Sequence, residues 1–207
     1  MKIAVVNEFS ARDKNPLIVE ALQKTGSRIF NIGMTPETTA VSLTYIHTAL
    51  MAAAALNSGA ADFVVGGCGT GQGFAIAVMQ YPNVFCGLIA DPLDAWLFGK
   101  INGGNCISLP LNKGFGWGGG VNLEFVFEKL FSPGFAEGYP PDRREVQKES
   151  RDRLQVLSAL AHRPFAEILN GLDPEITGVV FAHKPFTDFI LEQGGDPDIL
   201  KVFRQRC

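Results

Sequence analysis

The sequence predicts a three-layer α/β/α domain, Rossmann-like, with a five-stranded parallel sheet and a C-terminal helical extension. Two observations lead to this fold class. Short apolar runs rich in β-branched residues alternate with longer segments whose apolar residues recur at helical spacing, which is typical of βαβ units. The short runs are almost continuously apolar, as expected for parallel strands that are covered by helices on both faces.

Taken along the chain, five such runs predict strands at residues 2–6, 28–32, 62–67, 84–89 and 106–109. Helical periodicity, opened or closed by Pro and Gly, predicts helices at residues 17–24, 37–56, 72–80, 92–101, 121–130 and 142–162. Residues 131–141 are rich in Gly and Pro and predict an irregular connector, and residues 164–206 predict two or three short helices. We therefore expect one α/β domain over residues 1–140 and a helical extension over residues 141–207.

Composition excludes several classes of protein. The 207 residues are 46% hydrophobic and 19% charged, which excludes intrinsic disorder. No apolar run approaches the roughly 18 residues that a membrane span requires, so no membrane partner is expected. With 18 basic and 21 acidic residues, the net charge of -3 gives no basic footprint for nucleic acid.

The cysteines and the N-terminus indicate a reducing compartment. The four cysteines are Cys68, Cys86, Cys106 and Cys207, and none forms a CxxC pair. The first six residues already read as a strand, and no signal peptide precedes them. We expect a cytoplasmic protein with free thiols, in which Cys86 and Cys106 are small core residues inside strands.

The most informative stretch is Val-Val-Gly-Gly-Cys-Gly-Thr-Gly-Gln-Gly at residues 64–73. It puts Cys68 where a buried strand ends and a helix begins, so unpaired backbone N–H groups and the positive end of the helix would favour a thiolate and a developing oxyanion. The plainer interpretation is a structural cysteine in a tight turn. The dinucleotide pattern GxGxxG fails in every frame, and no GK[ST] follows for a P-loop.

Cys68-Gly69-Thr70-Gly71, followed by Gly73, resembles the signature of the ribose-5-phosphate isomerase B and galactose-6-phosphate isomerase family. Asp62 precedes the cysteine strand as in that family, and residues 95–97 and 102–105 resemble a further family segment. The likeness covers roughly residues 1–150. It implies a sugar-phosphate isomerase that uses no cofactor or metal and forms homodimers, or higher homo-oligomers, whose sites borrow residues across the interface.

The resemblance also implies roles for individual residues. Cys68 is the base that removes the proton α to the sugar carbonyl, which gives a cis-enediolate. Thr70 assists ring opening or binds an oxygen, and Glu8 retains the acidic group of the family's first loop. The candidate substrate contacts are Asn7, Gly69, Gly71, Gln72, Gly73, Asp91, Asn102, Arg143 and Arg144.

Departures from the family pattern leave the substrate open. Phe9 and Ala90 stand where the family has histidines, and Arg143 and Arg144 have altered spacing. The sequence therefore leaves open whether the substrate carries a phosphate group. Each candidate also has a plainer interpretation: Glu8 as an exposed loop acid, Asn102 and Asp91 as caps, the two arginines as a solvated face. Three functions follow.

The first function is an aldose–ketose isomerase of a phosphorylated sugar. The second is an isomerase or epimerase of a different or non-phosphorylated sugar. The third is a sugar-phosphate-binding protein without turnover. Elsewhere, Tyr45 and His47 are expected on a long helix, near the place where the family resemblance implies an aromatic residue and a histidine. One of them could point into the site, although packing or exposure is the more ordinary role for both.

Overall fold

The computed structural model describes residues 1–206, so Cys207 and its expected free thiol lie outside the described residues. The predicted architecture is confirmed: one five-stranded sheet in the order β2-β1-β3-β5-β4 has helices on both faces, and every strand pair is parallel. The strands are β1 (Lys2–Asn7), β2 (Arg28–Asn31), β3 (Phe63–Cys68), β4 (Cys86–Leu88) and β5 (Cys106–Pro110).

Ten α-helices occur in the described chain. Those interleaved with the sheet are α1 (Asn15–Gln23), α2 (Tyr45–Asn57), α3 (Gln72–Val78), α4 (Pro92–Leu97) and α5 (Gly119–Leu130). The C-terminal ones are α6 (Arg144–Ala161), α7 (Phe165–Gly171), α8 (Pro174–Ala182), α9 (Lys184–Gln193) and α10 (Pro197–Arg206). Shorter turns of helix cover Phe9–Lys14, Phe98–Asn102 and Pro141–Arg143.

Two sequence-based helix predictions are wrong, one in where a helix begins and the other in the number of C-terminal helices. The helix predicted over residues 37–56 begins only at Tyr45, because Thr44 and His47 form a capping box that fixes the first turn there. Residues 164–206 form four helices instead of two or three. Asp173 caps α8 ahead of Pro174, and α9 ends at Gln193, just before Gly194, so the chain is interrupted more often than its apolar pattern indicates.

The sheet separates two apolar clusters. One cluster joins β5 and β1 to α1 and α5 through residues such as Ile18, Ile107 and Phe127. The other joins the opposite face to α2 and α3, and it continues into the C-terminal helices through Phe186 and Phe203. Helices α7 to α10 therefore share the core of the sheet, whereas α6 buries only Ser158.

The three described cysteines are free thiols. Cys106 is fully buried, as expected for a core residue, but Cys86 is half-buried because β4 is an edge strand. Burial, together with a hydrogen bond from the Cys106 thiol to Cys86 and the repulsion between the two groups when charged, raises the pKa of the Cys106 thiol. Cys106 is thus unsuited to act as a base.

Candidate active site

Cys68 is the last residue of the central strand β3, which lies between β1 and β5. In register, Asn7 of β1 faces Gly67, and Cys68 faces Pro110 of β5, so the carboxyl ends of three neighbouring strands meet here. Ligands of open parallel sheets bind outside this edge. The residue is 7% exposed, and its sulfur, unlike those of Cys86 and Cys106, has no hydrogen-bond partner in the described chain.

The turn after Cys68 requires glycine. Gly71 has φ of +75°, and a Cβ there would lie 2.6 Å from Leu88 Cδ1. At Gly67, with φ of +155°, a Cβ would lie 2.3 Å from the carbonyl oxygen of Leu109. The turn therefore sits directly against β5 and β4, and any larger residue would push it off the sheet.

Hydrogen bonds within the turn use part of the predicted donor set. The N–H of Gly71 donates to the carbonyl of Cys68 at 3.2 Å, and the N–H of Gln72 donates to Thr70 Oγ1 at 3.3 Å. Leu111 N–H also donates to the Cys68 carbonyl, at 3.0 Å. Both turn bonds are long, so a bound oxyanion could compete for these N–H groups. Helix α3 has only seven residues, which limits the dipole expected at Gln72.

The first loop joins this turn, but its predicted residues are engaged. Glu8 is 6% exposed instead of being an exposed loop acid, and its carboxylate accepts from the backbone N–H of Ser10, at 3.0 Å, and from the Ser10 hydroxyl. Asn7 is buried, and its side chain accepts from Asn15 Nδ2 at 2.8 Å. Glu8 therefore caps the turn at Phe9–Lys14, and Asn7 ties β1 to α1.

Two residues that sequence reasoning missed stand beside the turn. A Cβ on Gly69 would lie 3.4 Å from Asn112 Nδ2 and 3.6 Å from Ser10 Oγ. Asn112 Nδ2 also donates to the carbonyl of Ser10 at 2.9 Å. Both residues closely follow the ends of β1 and β5, so the strand-end rule could have found them.

Helix α2 contributes an aromatic side chain. The ring of Tyr45 lies 3.4 Å from where a Cβ of Gly73 would be, and Tyr45 is 42% exposed. His47 points elsewhere: its Nδ1 accepts from the backbone N–H of Thr44 at 3.0 Å, and burial lowers its pKa. Of the two, only Tyr45 borders the Cys68 turn.

Four of the predicted substrate-binding residues lie outside the Cys68 turn. Asp91 caps α4, since its Oδ1 accepts from Asp94 N–H at 2.9 Å. Asn102 is exposed and lines a groove beside β4. Arg144 forms an ion pair with Glu137 at 2.6 Å, and Arg143 is exposed in the preceding turn. None of these side chains forms a hydrogen bond or ion pair with residues 68–73 within the described chain.

Two clefts lie beside β5 and β4. One, of about 220 Å³, lies between the end of β5, the glycine-rich segment 113–120 and α5. The other, of about 730 Å³, runs between the β4 edge and α6. Cys68 lines neither cleft. Within residues 1–206, no group of three or more His, Cys, Asp or Glu side chains is placed to hold a metal ion, and no helix has the length and apolar character to cross a membrane.

These features define an α/β protein whose candidate site is a cysteine in a glycine turn at the carboxyl edge of a parallel sheet. The family model described as Ribose/Galactose Isomerase matches residues 3–120, and the chain belongs to this family. It is accordingly a sugar isomerase, an intramolecular oxidoreductase. No curated protein matches the sequence.

Two solved structures match over the whole chain, and a third matches over 72% of it. A 4-deoxy-L-threo-5-hexosulose-uronate ketol-isomerase, complexed with a tartrate, is 36% identical with a TM-score of 0.96, covering 100% of this chain and 99% of its own. A ribose-5-phosphate isomerase from Vibrio parahaemolyticus is 38% identical with a TM-score of 0.95 at the same coverage. A ribose 5-phosphate isomerase from Thermotoga maritima is 25% identical with a TM-score of 0.58, covering 72% of this chain and 97% of its own.

The glycine requirement at the turn gives a first test. Gly71→Ala should destabilise the protein by more than Gly26→Ala, because both positions have positive φ but only Gly71 has neighbours within 4 Å. The backbone strain alone costs about 1–2 kcal/mol, and the contact with Leu88 adds to it at Gly71. Free energies of unfolding from urea titration would measure the difference. Equal losses in the two variants would show that the turn is not packed against β4 and β5 in this way.

Proposed function

We propose that the protein interconverts an aldose and a ketose through a cis-enediolate, with Cys68 as the base. The observation that carries the proposal is a cysteine at the end of the central strand, in a glycine turn, in a chain of the ribose/galactose isomerase family. The Cys68 thiolate would take the proton from the carbon next to the carbonyl. The resulting thiol would return it to the neighbouring carbon while the hydroxyl proton passes from the second substrate oxygen to the former carbonyl oxygen, so the thiolate is regenerated and no redox cofactor is consumed.

The turn would stabilise the negative charge that develops on the substrate oxygens. The N–H groups of Gly69, Gly71 and Gln72 are the proposed donors, with Gly73 leaving room for the sugar. Thr70 is exposed, and its hydroxyl could donate to a sugar oxygen while it accepts from Gln72. Ser10 and Asn112 add two further polar groups on the same side of the turn.

Two substrate classes fit the proposed mechanism. The family resemblance favours a phosphorylated sugar, of the ribose 5-phosphate or galactose 6-phosphate type. The uronate ketol-isomerase, which matches over the full chain as the Vibrio parahaemolyticus ribose-5-phosphate isomerase does, supports a non-phosphorylated acid sugar as the second class. The pairing of Arg144 with Glu137 is consistent with this second class, because the arginine is already engaged by a carboxylate.

We also propose that a second copy of the chain covers α6. Its side chains Leu154, Val156, Leu157 and Leu160 are 50–80% exposed, which is a large apolar face for a helix in water. The groove between α6 and β4 includes Asn102, and Arg144 begins α6. A homodimer through this face would bring these residues toward the neighbouring subunit, which supports their assignment to its site. We further propose that the protein functions in the cytoplasm, the location that the sequence predicts.

The base is tested by hydrogen exchange. In deuterium oxide, the wild-type protein should incorporate deuterium next to the carbonyl of at least one sugar in a panel of ribose 5-phosphate, galactose 6-phosphate, a hexuronate and neutral ribose and galactose. Cys68→Ser should slow this exchange by about 100-fold or more, because a positioned general base contributes that much. Cys86→Ser, which removes a half-buried thiol elsewhere, should leave the rate close to wild type.

Mass spectrometry or proton NMR measures the incorporation. Undiminished exchange in Cys68→Ser would exclude Cys68 as the base. Binding of a sugar phosphate without exchange on any sugar would favour the third interpretation, a sugar-phosphate-binding protein without turnover.

The assembly is tested by sedimentation. The wild-type chain should sediment as a dimer or a larger homo-oligomer, and Leu157→Glu should shift it toward the monomer because a charge would be buried in the apolar contact. Val121→Glu, at a residue 54% exposed on α5, is the matched control and should leave the assembly unchanged. A wild-type monomer at micromolar concentration would contradict the proposed interface.

A further inference from the structure

Arg12 lies at the junction of two segments that border the Cys68 turn. Its guanidinium carbon is 4.9 Å from the centroid of the Phe9 ring, and its Nη1 is 3.5 Å from the carbonyl oxygen of Thr38. Phe9 in turn donates its backbone N–H to the carbonyl of Leu43 at 2.8 Å. The side chain is half-buried. The guanidinium is therefore held between the first loop and the segment that leads into α2.

The same two segments supply the polar and aromatic groups beside the catalytic turn. Ser10, two residues before Arg12, borders Gly69, and Tyr45, which follows the second segment, borders Gly73. Arg12 thus lies between two segments that each reach the proposed site, on the β1 side of β3 and away from β5. A sugar whose reacting carbons lie against the turn would extend toward these segments.

Arg12 has no acidic partner within residues 1–206, whereas the neighbouring Lys14 and the predicted site residue Arg144 each have one. Lys14, on the same turn, pairs with Asp13 at 2.5 Å, and Arg144 pairs with Glu137. Of the five N–H groups of Arg12, only one makes a hydrogen bond, at the limiting distance of 3.5 Å. A half-buried guanidinium with most of its donors free is ready to bind an anion.

We propose that Arg12 binds the acidic group of the substrate and so determines its specificity for acid sugars. This inference rests on the proposed function and names its substrate class. A single planar guanidinium fits a carboxylate with two parallel hydrogen bonds, so a sugar carboxylate is the group that the geometry favours. The Phe9 ring orients the guanidinium from one face and leaves its edge for the ligand.

Binding without turnover tests the assignment separately from the reaction. Tartrate, as a sugar-sized dicarboxylate, and inorganic phosphate would be titrated by calorimetry into the wild-type protein, Arg12→Gln and Arg28→Gln. Arg28 is the matched control, because its guanidinium also lies over a phenyl ring, that of Phe30 at 4.7 Å. Arg28 begins β2 and so lies at the amino ends of the strands, away from the carboxyl ends that form the proposed site.

We expect Arg12→Gln to weaken tartrate binding about tenfold or more, Arg28→Gln to bind as the wild type does, and tartrate to bind more tightly than phosphate. Tartrate binding that is absent in the wild type, unchanged in Arg12→Gln or equally weakened in Arg28→Gln would overturn the proposal. Phosphate binding that depends on Arg12 while tartrate binding does not would overturn the carboxylate assignment.

Kinetics then separates this proposal from the proposed function. With an acid sugar that turns over, Arg12→Gln should raise KM about tenfold or more and leave kcat nearly unchanged, since the handle contacts substrate and transition state alike. For a neutral sugar, KM should not change. Arg12-dependent tartrate binding in a protein that exchanges no sugar proton would contradict the isomerase and retain the anion site, whereas turnover of acid sugars with unchanged KM would contradict Arg12 alone.

Discussion

The close contact between the turn after β3 and the strand β5 is the constraint on which the site depends. Backbone atoms of Leu109 occupy the space that side chains at Gly67 and Gly71 would need. The turn can therefore lie flat on the sheet edge only if these positions carry no Cβ. Because the turn lies flat, Cys68 is held at the level of the neighbouring strand ends, where Ser10 and Asn112 come beside it.

A second feature is that the C-terminal helices support the same side of the sheet as α2. His183, just before α9, donates from Nε2 to the carbonyl of Ile32 at 2.9 Å, and burial lowers its pKa. Gly195 donates its N–H to the carbonyl of Ser58, at the end of α2, at 2.7 Å. The extension is thus built into the core that positions α2 and Tyr45, while α6 remains outside that core with its apolar face uncovered.

The sequence predicted the layer order, the five strands and the position of Cys68, because parallel strands and glycine turns leave strong local patterns. The sequence was a poorer guide where contacts between distant residues determine which side chains are engaged and where a helix begins. Glu8 and Asn7 are plausible site residues from the sequence, but their side chains accept hydrogen bonds from Ser10 and Asn15. The start of α2 depends on the pairing of Thr44 with His47, which helical periodicity alone does not reveal. Arg143 and Arg144 matched a family segment in sequence, yet in this chain their contacts are with other residues.

The central claim is that the Cys68 sulfur performs the proton transfer, and thiol alkylation mapped by mass spectrometry tests it most directly. Treated with iodoacetamide, the protein should lose its isomerase activity in step with modification at Cys68, and a sugar that turns over should slow both changes equally, because it would bind at the Cys68 turn and shield the thiol. Full activity in protein whose Cys68 is completely modified, or loss of activity that follows modification of Cys86 instead, would contradict the account.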